Sequence, residues 1–162
     1  RAPERYALQV LMMWHTAMAM NPDAVTLRGL DWLTSDLETA ATSATPASAR
    51  AHLWILTQRG RAWSRRGEHA RARRDLLAGL AAAPLFTPED RDRNEYETAI
   101  VSAHVELAVI AAASAALPDA CAHAREALSR ARAPEIVADE LWTRAELQPL
   151  HDDPAWRAAL GR

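Results

Sequence analysis

Apolar residues recur along this chain at spacings of three and four, the period of a helix with one buried face. Leu27, Leu30, Leu33 and Leu37 mark such a face within a helix expected from about Ala24 to Ser43. Before it, the pattern predicts a helix from about Pro3 to Met20, ended by "NPD". After it, Pro46 opens a helix to about Arg66, and another runs from about Glu68 to Ala83. "FTPED" supplies Thr87 as N-cap, Pro88 at the first position and Asp90 at the third, and the helix so started reaches about Ala116. Pro118 opens the next helix, Pro134 another, and "DDPAW" a short last one. Proline suits these places because its missing N–H would be unpaired in a first helical turn anyway. No stretch alternates with a period of two. The expected class is all-α, built from antiparallel helical hairpins.

The stretch "GRAWSRRGEHARARRDLLAGLAAAP" is the most informative. Leu56 and Gly60 share a helical face, Trp63 follows three residues later, and Gly67 falls at the turn, where a left-handed backbone suits Gly. Ala72, Leu76, Gly79 and Leu80 follow on the second helix, and Pro84 ends the unit. The physical logic is close approach. Gly60 and Ala72 let two helices come together, while Trp63 and Leu76 fill the space beside them.

This order of residues over 53–84 resembles the tetratricopeptide repeat, a helical-hairpin unit of bacterial and other proteins. Arg59 departs from the pattern, which has an apolar residue there. A weaker copy starts at Val101, with Leu107, Ala108, Ala111, Ala120, Ala124, Ala127 and Leu128, and with Leu117-Pro118 in place of the turn glycine. It lies 48 residues after the first. The extra segment "TPEDRDRNEYETAI" would lengthen its first helix by ~20 Å. The ending "LQPLHDDPAWRAAL" resembles the tails of such proteins, where Leu147, Leu150, Trp156 and Leu160 would seal the last open face. The resemblance implies one TPR-like domain over 1–162: a degenerate hairpin in 1–45, the best repeat in 53–86, an extended repeat in 87–134 and a cap in 135–162. Its fold would be a short α-solenoid.

Composition sharpens this picture. The chain has 162 residues, about half apolar, and a formal net charge of −2. That balance gives no global push toward nucleic acid or an anionic membrane. All basic residues are Arg, which reads as codon bias and lowers the weight of any Arg cluster. Cys121 is the sole cysteine, so an intrachain disulfide or a cysteine-rich zinc site is excluded. No apolar run reaches the ~18 residues of a membrane span, and a cytoplasmic location is expected. The chain opens on Arg1 without an initiator Met, which reads as a piece of a longer protein.

Seven Arg lie between residues 59 and 74, yet helical geometry splits them. Arg61 and Arg65 share a face with Trp54 and Thr57, whereas Arg71, Arg73 and Arg74 lie on the outer side of the next helix. This argues against one continuous nucleic-acid face. The resemblance assigns the first-helix face to the concave groove, with Trp54, Thr57, Arg61 and Arg65 facing an acidic peptide or protein. Two Arg on one face repel unless an acid lies near, and Glu68 or Glu106 is a candidate alongside the partner itself. Val105 and Val109, with Ala112, form an apolar strip on the matching face of the long helix, suited to a hydrophobic peptide, a partner helix or a homodimer, or equally to cover by the N-terminal hairpin. The six His form no metal-spaced pair, and "HDD" at 151–153 is better read as an N-cap at Asp153 than as a metal site. No phosphate loop or nucleophile arrangement is present. No cofactor, no metal and no enzymatic activity are expected. The function class is a protein–protein interaction module, with a ligand-sensing or effector domain of a bacterial signalling or transcriptional regulator as the alternative.

Overall fold

A computed structural model describes residues 46–83 and 94–162, with side chains over 53–83 and 97–162. The expected helices in 1–45, the Thr87 cap and residues 87–93 of the long helix lie outside the described residues. Within them all regular structure is helical and no strand occurs. Helix α1 spans Pro46–Arg65, α2 His69–Ala81, α3 Asn94–Ala113, α4 Leu117–Arg130 and α5 Pro134–Thr143. A 3-10 helix, Ala145–Leu150, and α6, Pro154–Ala159, complete the described chain. Pro118, Pro134 and Pro154 each occupy the first turn of their helix, where proline costs no hydrogen bond.

α1 and α2 fold back on one another, as do α3 and α4, and α3 packs against both helices of the first hairpin. The turns that close the two hairpins are the same. After α1, Gly67 sits at φ +76°, its N–H bonds the Ser64 carbonyl, and the Glu68 N–H bonds the Trp63 carbonyl at 3.0 Å. After α3, Ala115 sits at φ 55°, its N–H bonds the Ala112 carbonyl, and the Ala116 N–H bonds the Ala111 carbonyl at 2.9 Å. Both are Schellman caps, which satisfy the orphan carbonyls of a helix end through one left-handed residue. Gly67 and Ala115 are 48 residues apart, the offset between the two sequence copies.

The seams match as well. A Cβ built on Gly60 would lie 2.6 Å from Leu76 Cγ and 3.2 Å from the Ala72 carbonyl oxygen, and one on Gly79 would lie 3.3 Å from Leu56 Cβ. Each glycine therefore admits the facing helix. In the second hairpin, Ala108 holds the place of Gly60, and Ala120, Ala124 and Ala127 those of Ala72, Leu76 and Gly79; all four alanines are fully buried. Leu76, Leu107, Trp63 and Leu80 meet in one cluster between the hairpins.

The tail seals the second hairpin. Leu147 and Trp156 are completely buried, Leu160 nearly so, and Leu150 packs beside them against Val137, Leu141 and the α3–α4 core. The Asp153 carboxylate accepts the Ala155 N–H at 2.8 Å and caps α6. Asp153 is thus occupied by the backbone, as an N-cap is. No group of three metal-ligating side chains occurs among the described residues, and none of their helices is long and apolar enough to cross a membrane.

Candidate functional site

The expected groove face of α1 is only partly open. Trp54 and Arg61 are half-buried and Arg65 is exposed. Thr57 is completely buried, and its Oγ1 has no hydrogen-bond partner. A helical wheel puts Thr57 on one stripe with Arg61, but that stripe is buried at Thr57 and opens only from Arg61 toward Arg65. Thr57 is therefore a core residue and not a ligand contact.

The apolar strip is corrected in the same way. Val105 and Val109 are 1% and 4% exposed and belong to the core shared with Ala120, Cys121, Ala124 and Trp156. The seam of the second hairpin takes up both valines, while Ala112, the third residue of the strip, stays half-buried.

Glu106 explains how Arg61 is tolerated. This carboxylate is buried on α3 and receives Arg144 Nη2 at 2.5 Å, while Arg61 Nε stands 3.6 Å away. Burial works against the charge of Arg144, yet Glu106 beside it raises its pKa above the ordinary arginine value overall. Glu106 so ties α1, α3 and the end of α5 together. Arg61 sits at the edge of this cluster, beyond hydrogen-bond length and part-exposed. The acid that the sequence required near Arg61 is internal to the fold.

Arg65 and its neighbour Arg66 differ. Both are exposed at the C-terminal end of α1, where a cation suits the helix dipole, and neither has an acidic partner among the described residues. Close by, the Arg71 guanidinium covers the Trp63 ring at 4.7 Å from its centroid. Arg73 and Arg74 are exposed on α2, as their outer-face placement requires. On α1 and its closing turn the exposed cations are Arg65 and Arg66 rather than Arg61, and Arg73 and Arg74 add exposed guanidiniums on α2.

Two polar locks across the hairpin seams have no forerunner among the sequence-based site residues. Asp75, buried on α2, holds the Arg59 guanidinium through two bonds, Nε to Oδ2 at 2.5 Å and Nη2 to Oδ1 at 2.8 Å. This accounts for an arginine at a position where an apolar residue was expected. The sequence carried a signal for it: Asp75 stands three residues after Ala72 and four before Gly79, on an otherwise apolar stripe. In the second hairpin, His123 occupies the place of Asp75 and meets His104 of α3, Nδ1 to Nδ1, at 3.2 Å. Cys121 is buried, and that burial pushes its thiol pKa up, which keeps it protonated and unreactive.

No family model, no curated protein and no solved structure matches this chain.

Proposed function

We propose that this chain is a non-catalytic helical-repeat module of tetratricopeptide-like design that binds a protein or peptide through its carboxylates. The repeat reading rests on two hairpins with one turn geometry and one small-residue seam, 48 residues apart. The tail that covers the second hairpin with Leu147 and Trp156 fits the end of a stack, since a terminal unit of such an array needs a closing face. The binding reading rests chiefly on Arg65 and Arg66, adjacent exposed guanidiniums with no acidic partner among the described residues. A guanidinium fork holds a carboxylate with two bonds, so such a pair favours an acidic segment. Half-buried Trp54 lies on the same helix.

The test is a titration of a fluorescent hexaglutamate peptide, with a hexaglutamine peptide as control, at low and high salt. Binding of the acidic peptide alone, weakened by salt, is expected, because exposed charges are screened beyond ~8–10 Å. Arg65→Glu with Arg66→Glu should abolish it while the helical circular dichroism stays unchanged. Arg61 is left intact in this test, since reversing it would set a second carboxylate beside buried Glu106. Equal binding by the doubly reversed protein would sink the proposal.

A further inference from the structure

The two hairpins carry different locks at one position. Asp75 and His123 stand 48 residues apart on the second helix of each hairpin, and each reaches across to the first helix. The first lock is an ion pair. The second is a pair of imidazoles. We propose that the His104–His123 contact is a proton-operated latch, which holds α3 to α4 while at most one of the rings is protonated and releases them when both are.

The geometry sets the rule. The ring centroids are 5.4 Å apart and the Nδ1 atoms 3.2 Å, so the two nitrogens face each other nearly head on. One must donate and the other accept. A neutral imidazole offers one N–H and one lone pair, whereas the imidazolium offers only N–H groups. Two neutral rings therefore make the bond, and so does one imidazolium with one neutral ring. Two imidazolium rings point proton at proton across 3.2 Å, with charges that repel.

The surroundings favour the neutral forms. Burial chiefly, with His123 and then Arg130 acting in the same direction and Glu126 opposing, lowers the pKa of His104 to about 4. Burial also lowers that of His123, with Arg73 of α2 acting in the same direction and Asp119 and Glu126 opposing. Glu126 is itself engaged by Arg130 at 2.7 Å. Because the folded chain takes up these protons less readily than the unfolded one, the latch contributes in full above the ordinary imidazole value of 6.5. It is lost as pH falls from there toward about 4. The imidazole protons do not bear on the Arg59–Asp75 lock, so mild acid should loosen the second hairpin before the first.

The experiment is amide hydrogen exchange on the whole chain between pH 7 and pH 4, read as protection factors. Protection across the α3–α4 seam should fall by up to about tenfold per pH unit for each proton taken up, while the α1–α2 seam stays protected. His123→Gln should reduce this pH dependence to that of the single proton on buried His104 and keep the seam protected at pH 7. A parallel fall of both hairpins, or an unchanged pH dependence in His123→Gln, would overturn the latch. Should that variant fail to fold, the imidazole resonances of the wild-type protein decide. Coupled titration of His104 and His123 below 6.5 supports the latch, and independent titration at the ordinary value refutes it.

Discussion

Leu76 fills the space that a side chain at Gly60 would need: its Cγ lies 2.6 Å from the point where a Cβ would stand. The clash involves a branched carbon near the root of a fully buried side chain, so it cannot be relieved by swinging a flexible end aside. Gly60→Leu should therefore part α1 from α2 and cost about 3 kcal/mol or more, the upper range for overpacking a core. Chemical denaturation should show a large drop in midpoint. An unchanged midpoint would remove the seam as described.

Ala115 holds at φ 55° the turn that Gly67 holds at +76°. A Cβ in the left-handed region costs roughly 1–2 kcal/mol, and the freedom of Gly in the unfolded chain returns part of the gain. Ala115→Gly should stabilise the protein by about 0.5–1 kcal/mol, a rise of a few degrees in Tm. A fall in Tm would mean that Ala115 is not left-handed in solution.

Arg59 and Asp75 predict strong non-additivity. Asp75→Leu alone takes the two-bond carboxylate away from buried Arg59, and Arg59→Met alone leaves buried Asp75 with only exposed Arg74, 3.5 Å away. Each should cost about 3–5 kcal/mol, while the double variant, an apolar pair of similar volume, should lose far less. Denaturant titrations of the four proteins complete the cycle. Simple addition of the two losses would deny the lock.

Thr57 carries a buried hydroxyl without a hydrogen-bond partner. Thr57→Val removes that unsatisfied group at nearly constant shape and should be neutral or stabilising by about 1 kcal/mol. The same change should leave binding of an acidic peptide untouched. Loss of binding would return Thr57 to the ligand face.

Trp156 is the largest completely buried side chain among the described residues. Trp156→Ala should cost about 3–5 kcal/mol, and removal of residues 147–162 should expose the Val137 and Leu141 face and promote aggregation. Light scattering and thermal unfolding read both. A truncated chain that stays monomeric and equally stable would rule out the capping role.

Much of the described fold could be read in the sequence, and the reasons are local. Gly67 was legible because a left-handed turn selects glycine, and Asp153 because a carboxylate before a proline selects an N-cap. Ala115 was not, since alanine disguises the same geometry. The candidate site fared worse for a tertiary reason. Helical spacing groups Trp54, Thr57, Arg61 and Arg65 on a stripe, and Val105 with Val109 on another, but spacing is silent on which part of a stripe a neighbouring helix will cover. The His104–His123 contact has no sequence signature, because its partners belong to different helices and no periodic rule pairs them.

The two Schellman turns also bear on how the chain finds its fold. Each joins a helix to its nearest neighbour in sequence through Arg66–Glu68 or Ser114–Ala116, so the ends that must meet are never far apart and loop closure costs little entropy. Topologies dominated by such local pairing fold in microseconds to milliseconds. Each hairpin should form on its own clock, with the docking of α3 onto the first hairpin as the later, slower event. Stopped-flow kinetics should then show variants at the Arg59–Asp75 and His104–His123 seams slowing different phases.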